Sequence, residues 1–462
     1  MNERTFYDVH MHAFNLSHPS LLAFLRRSLR ELWKSCLKWR QLVRYLVVFL
    51  FGVFLLILLV VLVLVALVPP FRRRIRSLTG RLVNCVKKLL KTGLNMLSVM
   101  ENDIGSVFLL MEDDLREKNP LLDGDGLHIG GQTYSRIVLT PLMMDFGYKG
   151  KTAPSASSRT RQFHYDIPAG KPIVEQVIDV FNGIKTYRRS KTDEDLEAKF
   201  PGLGKESTRI FEIYPFLGLN PANYDQSEIE ELLDKCFADY KGTREDLLKN
   251  LGRFDGNIEN LKSNFFAGIK VYPPLGFDPW PETTDPQGRK KVEYLYEYCC
   301  EKRIPITTHG GRGGFVVIGK AELDAYTAMS KWAAVLKKEE YSSLKLNLAH
   351  FPVRRRNLPH EWKRLVETLK LVLTADNVYV DISCRATSEK YYARLRSVLD
   401  QYSGEERVKL GSRILFGSDF AVNLMGVESY NEFLDLFSRT KHLTPEEKLA
   451  FCSTNPERFL FG

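Results

Sequence analysis

The chain has 462 residues, 44% hydrophobic and 26% charged, with a mean hydropathy of −0.21. That mixture excludes intrinsic disorder, a collagen-like rod, a small disulfide scaffold and a polytopic membrane protein. The net charge of +10 sits in one stretch, Leu16 to Pro120, where seventeen basic residues face seven acidic ones, so a nucleic-acid-binding body is excluded and an anionic membrane lipid surface is the expected partner of that stretch.

Seven cysteines (Cys36, Cys85, Cys236, Cys299, Cys300, Cys384, Cys452) occur without a C-x-x-C spacing. This predicts free thiols in a reducing compartment. The opening residues, MNERTFYDVH, hold no apolar signal core, and no cleaved signal peptide is expected.

In chain order, residues 4–12 read as a strand, RTFYDVHMH. Ser20 to Arg44 is basic and amphipathic. Tyr45 to Val68 then runs 24 residues without a charge, closed by Pro69-Pro70 and four arginines between 72 and 76. As a helix this run would span about 36 Å, more than the ~30 Å hydrocarbon core of a bilayer. A membrane-associated protein with a transmembrane-type helix is therefore expected. His10 and His12 precede the run and most of the chain follows it, so one complete crossing would split the fold. A re-entrant or in-plane insertion is expected instead, with the body on the cytoplasmic side and a homo-oligomer as one way to cover the inserted backbone. Leu82 to Met100 has helical apolar spacing that suits either a membrane surface or the globular body.

From residue 134 the pattern alternates. Apolar, β-branched runs at 135–142, 208–217, 265–273, 304–310, 344–351, 377–383 and 412–419 predict strands. Helical patterns at 173–184, 227–240, 289–302 and 361–373 separate them. With the first strand this makes eight units, which implies an α/β fold, a (β/α)8 TIM barrel with a basic, hydrophobic helical insertion after strand one. The expected organisation is 1–15 as the first barrel strand, 16–120 as the insertion with its apolar run at 45–68, and 121–462 as the rest of the barrel.

The chemistry-bearing residues fall at strand ends. His10 and His12 form an H-x-H whose period-two spacing puts both imidazoles on one side. Lys270 lies near the end of the fourth strand, His309 ends the fifth, His350 the sixth and Asp419 the eighth. Such ends converge on the catalytic mouth of a barrel. Imidazoles with a carboxylate suit Zn²⁺, with Mn, Fe, Co or Ni as alternatives. Around them, Arg312 in GGRGG (310–314) is placed to grip an anionic group, as is Arg385 in ISCRAT, and Tyr272 to line the mouth. His18, His128, His360 and His442 have no partner pattern and read as structural.

The order H-x-H, Lys, His, His, Asp resembles the amidohydrolase superfamily. The strings DVHMHAFN, AGIKVYPPLGFDP, ITTHGG, LNLAHFP, ILFGSDF and NPERFLFG resemble its amidohydrolase-related branch, which also holds the aminocarboxymuconate-semialdehyde decarboxylases. The resemblance implies that His10, His12, His309 and Asp419 hold one metal, with Asp419 as general acid/base. It places His350 beside the metal water or at a second ion. Lys270 would contact substrate, or bridge two ions if carboxylated. The implied activity is hydrolysis of an amide, ester or lactone-type bond of a small molecule. Nonoxidative decarboxylation on the same site, and a catalytically silent membrane-tethered barrel, are the alternatives.

Overall fold

The computed structural model describes residues 4–19, 91, 93–124, 126–147, 172–190, 194–203, 208–251, 253, 263–353 and 359–462. Strand β1 (Arg4–Met11) pairs in parallel with β4 (Gln132–Pro141), which pairs with β5 (Phe211–Ile213). The short strands β2 (Leu122–Asp123) and β3 (Gly126–Ile129) form an antiparallel hairpin on the first half of β4. A second parallel sheet runs β6 (Phe216–Gly218), β7 (Gly268–Val271), β8 (Ile306–Thr308), β9 (Leu346–Leu348), β10 (Val378–Asp381) and β11 (Ile414–Leu415).

Backbone hydrogen bonds join the two sheets into a ring. On one side Leu142 bridges Phe216, and Met143 N–H donates to Phe216 O at 3.2 Å. On the other, Val9 N–H donates to Phe416 O at 3.1 Å and Asp419 N–H to His10 O at 2.6 Å. The third staff of the barrel is β5 and β6 together. It breaks at Pro215, whose ring nitrogen cannot donate to a ladder. Among the described residues the ring thus has the eight parallel members expected from the sequence. Their side chains are almost all buried, as strands covered on both faces require.

Residues 104–118, which the sequence reading placed in the insertion, form helix α1 (Ile104–Lys118). It packs on helix α2 (Ile173–Arg189). A Cβ on Gly183 would lie 2.7 Å from Ile104 Cβ, so a glycine there sets the close approach. Buried Glu112 accepts from Arg116 Nε at 2.7 Å and from the Tyr187 hydroxyl, tying the helix to its neighbour. Near the start of β1, Arg244 forks onto Glu212 with two contacts of 2.7 Å and reaches Thr5 Oγ1 at 2.9 Å.

The expectation of membrane attachment is not met. No helix among the described residues is long and apolar enough to cross a membrane. The longest of them, α2 and Pro286–Lys302, have 17 residues each and carry several charges, against the ~20 apolar residues a span needs. The apolar run 45–68 lies outside the described residues. Of the 82–100 stretch, Met96 and Met100 are buried in the common core and Leu16 N–H donates to Met100 O at 2.9 Å, so this part lies on the body. The described cysteines are free thiols.

Candidate metal centre

The C-terminal ends of the strands gather the titratable residues around a cavity of about 180 Å3, lined by His12, Tyr272, His309, His350, Arg385 and Asp419 among others. His10 and His12, two apart on β1, face the same interior with ring centroids 5.3 Å apart. His350, Cys384 and Asp419 hold backbone φ angles of 65°, 57° and 64°. These left-handed values are strained for side-chain-bearing residues, and at strand ends they turn the side chains into the mouth.

Hydrogen accounting fixes the tautomers. His10 Nδ1 lies 2.9 Å from Asp381 Oδ2, and His12 Nδ1 lies 2.9 Å from Leu142 O. Both partners only accept, so both rings carry hydrogen on Nδ1, and in the neutral ring the lone pair is on Nε2. His309 Nε2 faces Gly313 O at 3.1 Å, leaving its lone pair on Nδ1. The Ser383 hydroxyl donates to Asp381, so His350 Nδ1 donates to Ser383, whose oxygens lie at 2.9 and 3.3 Å. Its lone pair is then on Nε2.

Two acceptor pairs consequently confront each other. His12 Nε2 is 3.0 Å from Asp419 Oδ1, and His350 Nε2 is 3.0 Å from His309 Nδ1. His10 Nε2, 3.5 Å from Asp419 Oδ1, is buried with no hydrogen-bond partner among the described residues. Burial pushes the His350 pKa down to about 4, that of His309 well below the ordinary histidine value, and that of His12 downward as well, so protons do not fill these gaps near neutrality. Burial alone would raise Asp419, but the imidazoles of His350, His12 and His10 around it hold its carboxyl well below the usual carboxylate range. An anion surrounded by neutral imidazole lone pairs is the donor set a divalent cation takes. The ligand atoms of His10, His350 and Asp419 all lie within 4.8 Å of one another. Relative to the expected set, His350 enters the cluster, while His12 adjoins it through Asp419 and His309 through His350.

Lys270 is buried, its Nζ 5.7 Å from the Tyr272 ring centroid and without a hydrogen-bond partner among the described residues. Burial pushes its pKa down to about 8, against the pull of Asp381 and Asp419. Tyr272 stacks on His309 with centroids 4.3 Å apart and 20° between planes. Arg385 lines the cavity. Arg312 does not line it. Its guanidinium pairs instead with Asp324, both side chains being about two-fifths exposed.

Two residues of the site escaped the sequence reading. Asp381, at the end of β10, accepts from His10, from Asn347 Nδ2 at 2.8 Å and from His350 N–H at 2.9 Å. Burial alone would raise its pKa, yet the His10 imidazole and these bonds hold it well below the usual carboxylate range. It is placed to fix the orientation of His10, as outer carboxylates do for ligand histidines. Its signal was a carboxylate closing the apolar run NVYVDIS. The second, Asn423, has no local signal at all.

Residues 255–462 match the family model described as amidohydrolase. This segment is similar to the amidohydrolase family. The matched segment carries Lys270, His309, His350, Asp381 and Asp419, while His10 and His12 precede it. The match agrees with the resemblance read from the sequence and with a metal-dependent enzyme. No curated protein matches the chain. Solved structures similar to it include a probable 2-pyrone-4,6-dicarboxylic acid hydrolase from Acinetobacter baumannii with citric acid bound, at 12% identity and a TM-score of 0.37, covering 71% of this chain and 84% of that one. A 5-carboxyvanillate decarboxylase from Novosphingobium aromaticivorans, complexed with manganese, is 13% identical with a TM-score of 0.36, covering 71% and 77%. An amidohydrolase from Burkholderia multivorans with bound zinc is 12% identical with a TM-score of 0.32, covering 70% and 99%.

Proposed function

We propose that this chain is a metal-dependent hydrolase that cleaves an amide, ester or lactone-type bond of a small molecule. The observation that carries the reading is the buried convergence of His10, His12, His350 and Asp419, whose lone pairs face one another without protons between them. These residues would hold one divalent ion, zinc by donor type, with His309 adjoining. Such an ion supplies a bound water with a pKa near ~7 and polarises a substrate carbonyl.

The remaining steps belong to the chain's own residues. Asp381 keeps His10 in one tautomer and one orientation. Asp419, ionised in this setting, accepts a proton from the attacking water and returns it to the leaving group. Lys270, buried and without a hydrogen-bond partner among the described residues, lies in the field of Asp381 and Asp419 and would serve a substrate oxygen. Arg385 binds an anionic group of the substrate from the cavity wall. Tyr272, flat on His309, closes one side and limits water.

Elemental analysis of the purified chain, followed by product analysis on a panel of amides, esters, lactones and aromatic carboxylates, tests the reading. About one divalent ion per chain and hydrolysis products are expected. Absence of bound transition metal overturns the metal reading, and release of CO₂ from the carboxylates in place of hydrolysis overturns the reaction class. A stoichiometry near two ions points to a carboxylated Lys270.

A further inference from the structure

The turn that follows Asp419 forms part of the cavity wall through Val422–Met425. Its Asn423 is 2% exposed, lines the cavity, and is anchored by its N–H donating to Asp419 O at 2.8 Å. Both ends of its side-chain amide, Nδ2 and Oδ1, lack a hydrogen-bond partner among the described residues. Buried carboxamides are ordinarily paired at both ends, because an unpaired donor or acceptor forfeits its hydration for nothing. A second wall residue shows the same lack. Arg385 Nε is buried without a partner, and no described carboxylate lies within ion-pair distance of its guanidinium.

We propose that Asn423 and Arg385 form a substrate-recognition edge that takes an anionic amide, with the carboxylate at Arg385 and the amide edge at Asn423. The assignment rests on the hydrolase reading above and narrows its substrate class. The chemistry of the Asn423 side chain dictates the group. A carboxylate offers only acceptors, so it satisfies Nδ2 and leaves Oδ1 unpaired. An amide presents N–H beside C=O and pairs both ends at once. A guanidinium left without a carboxylate in a cavity wall calls for an anion. Asn423 pairs with the amide edge in this account and takes no part in proton transfer, so it is a specificity residue. Sites built to hydrogen-bond a group reject analogues that lack it.

Binding of succinamate, succinate and succinamide to the full-length chain, measured by calorimetry, tests the edge. Succinamate carries both groups, and each of the others lacks one. The expected result is that succinamate binds about tenfold or more tighter than either, the scale of one well-made hydrogen bond in a buried site. Asn423→Leu and Asn423→Ser should abolish the preference over succinate, and Arg385→Met the preference over succinamide. The melting temperature of Asn423→Leu should hold or rise, since the variant removes an unpaired buried amide. A fall in melting temperature with unchanged ligand preference marks a structural asparagine and overturns the proposal. Equal binding of the three probes, or no binding of succinamate, also overturns it. Release of ammonia from succinamate is read separately. Selective binding without that release leaves the edge standing and counts against hydrolysis of this amide, whereas turnover with unselective binding does the reverse.

Discussion

His10 Nδ1 meets Asp381 Oδ2 at 2.9 Å, both fully buried and 371 residues apart in the chain. The pair puts a ring hydrogen of His10 on Nδ1, so the neutral ring has its lone pair on Nε2, the atom the proposed metal would take. Asp381→Asn should retain the shape but weaken the acceptor and leave an amide N–H against an imidazole N–H. Metal affinity is expected to fall by about 10–100-fold. Titration against a chelator of known affinity measures it, and an unchanged affinity would show that His10 is oriented by something else.

Asp419→Asn removes the proton acceptor while keeping the side chain's volume. Turnover on an identified substrate should drop by about 10²–10⁴-fold, with little change in the melting temperature. A variant with near-normal kcat would refute the role of Asp419 as general base.

Gly314 stands where no side chain fits. Its φ is +82°, and a Cβ there would lie 2.0 Å from Tyr272 Oη. The tyrosine cannot retreat freely, because its ring stacks on His309 and its hydroxyl accepts from Phe315 N–H at 3.2 Å. Gly314→Ala should cost about 3 kcal/mol through overpacking and backbone strain, with a larger proportional loss of activity. Adding Tyr272→Phe removes the obstructing oxygen and should restore part of the stability in chemical denaturation. No restoration would locate the strain in the backbone alone.

The Glu212–Arg244 clasp gives a pH-dependent share of stability. Burial alone would raise the Glu212 pKa, but the Arg244 and Tyr214 hydrogen bonds outweigh it and lower the value below the ordinary 4.5. A carboxyl with a depressed folded pKa stabilises above its unfolded pKa, and that contribution disappears as pH falls through the folded value. Glu212→Gln should therefore cost about 2 kcal/mol near neutrality, the scale of hydrogen bonds to a charged group, and progressively less below pH ~4.5. Denaturation of both proteins across pH 3–7 should give curves that converge on the acid side. A constant difference would mean that the charge is irrelevant.

The two arginines predicted at the rim separate in the same way. Arg385→Met should raise KM for an anionic substrate by about tenfold or more, since Arg385 lines the cavity. Arg312→Met should change KM little and stability by under ~1 kcal/mol, as expected for an exposed pair. Equal effects would place both at the substrate.

The barrel was legible because eight buried strands leave eight apolar, β-branched runs, and the runs at 268–271, 306–308 and 378–381 fall inside the predicted ones. The hairpin β2–β3 was not, because GLHI and a two-residue strand carry no period of their own. His10, His12, Lys270, His309, His350 and Asp419 could be picked out by their order along the chain. Which of them converge could not, because ligand geometry depends on backbone turns such as the positive φ at His350 and Asp419. Asp381 and Asn423 were missed for a related reason. One aspartate in a strand and one asparagine in a turn are unremarkable until the cavity shows what they face. Arg312 pairs with Asp324 away from the cavity lining, a direction that a glycine-rich loop does not announce in its sequence.

Closing the ring through β1 has a consequence for biosynthesis. Asp8 Oδ1 receives the N–H of Ser418 across 410 residues, and Val9 donates to Phe416. Strand β1 leaves the ribosome well before β11 and therefore keeps one edge unpaired until β11 emerges. Such long-range closure is slow and exposes a strand edge to other chains. It also means that a nascent or clipped polypeptide lacking β11 and the turn after it has no Asp419 beside His10 and His12, so the buried cluster cannot assemble in incomplete copies.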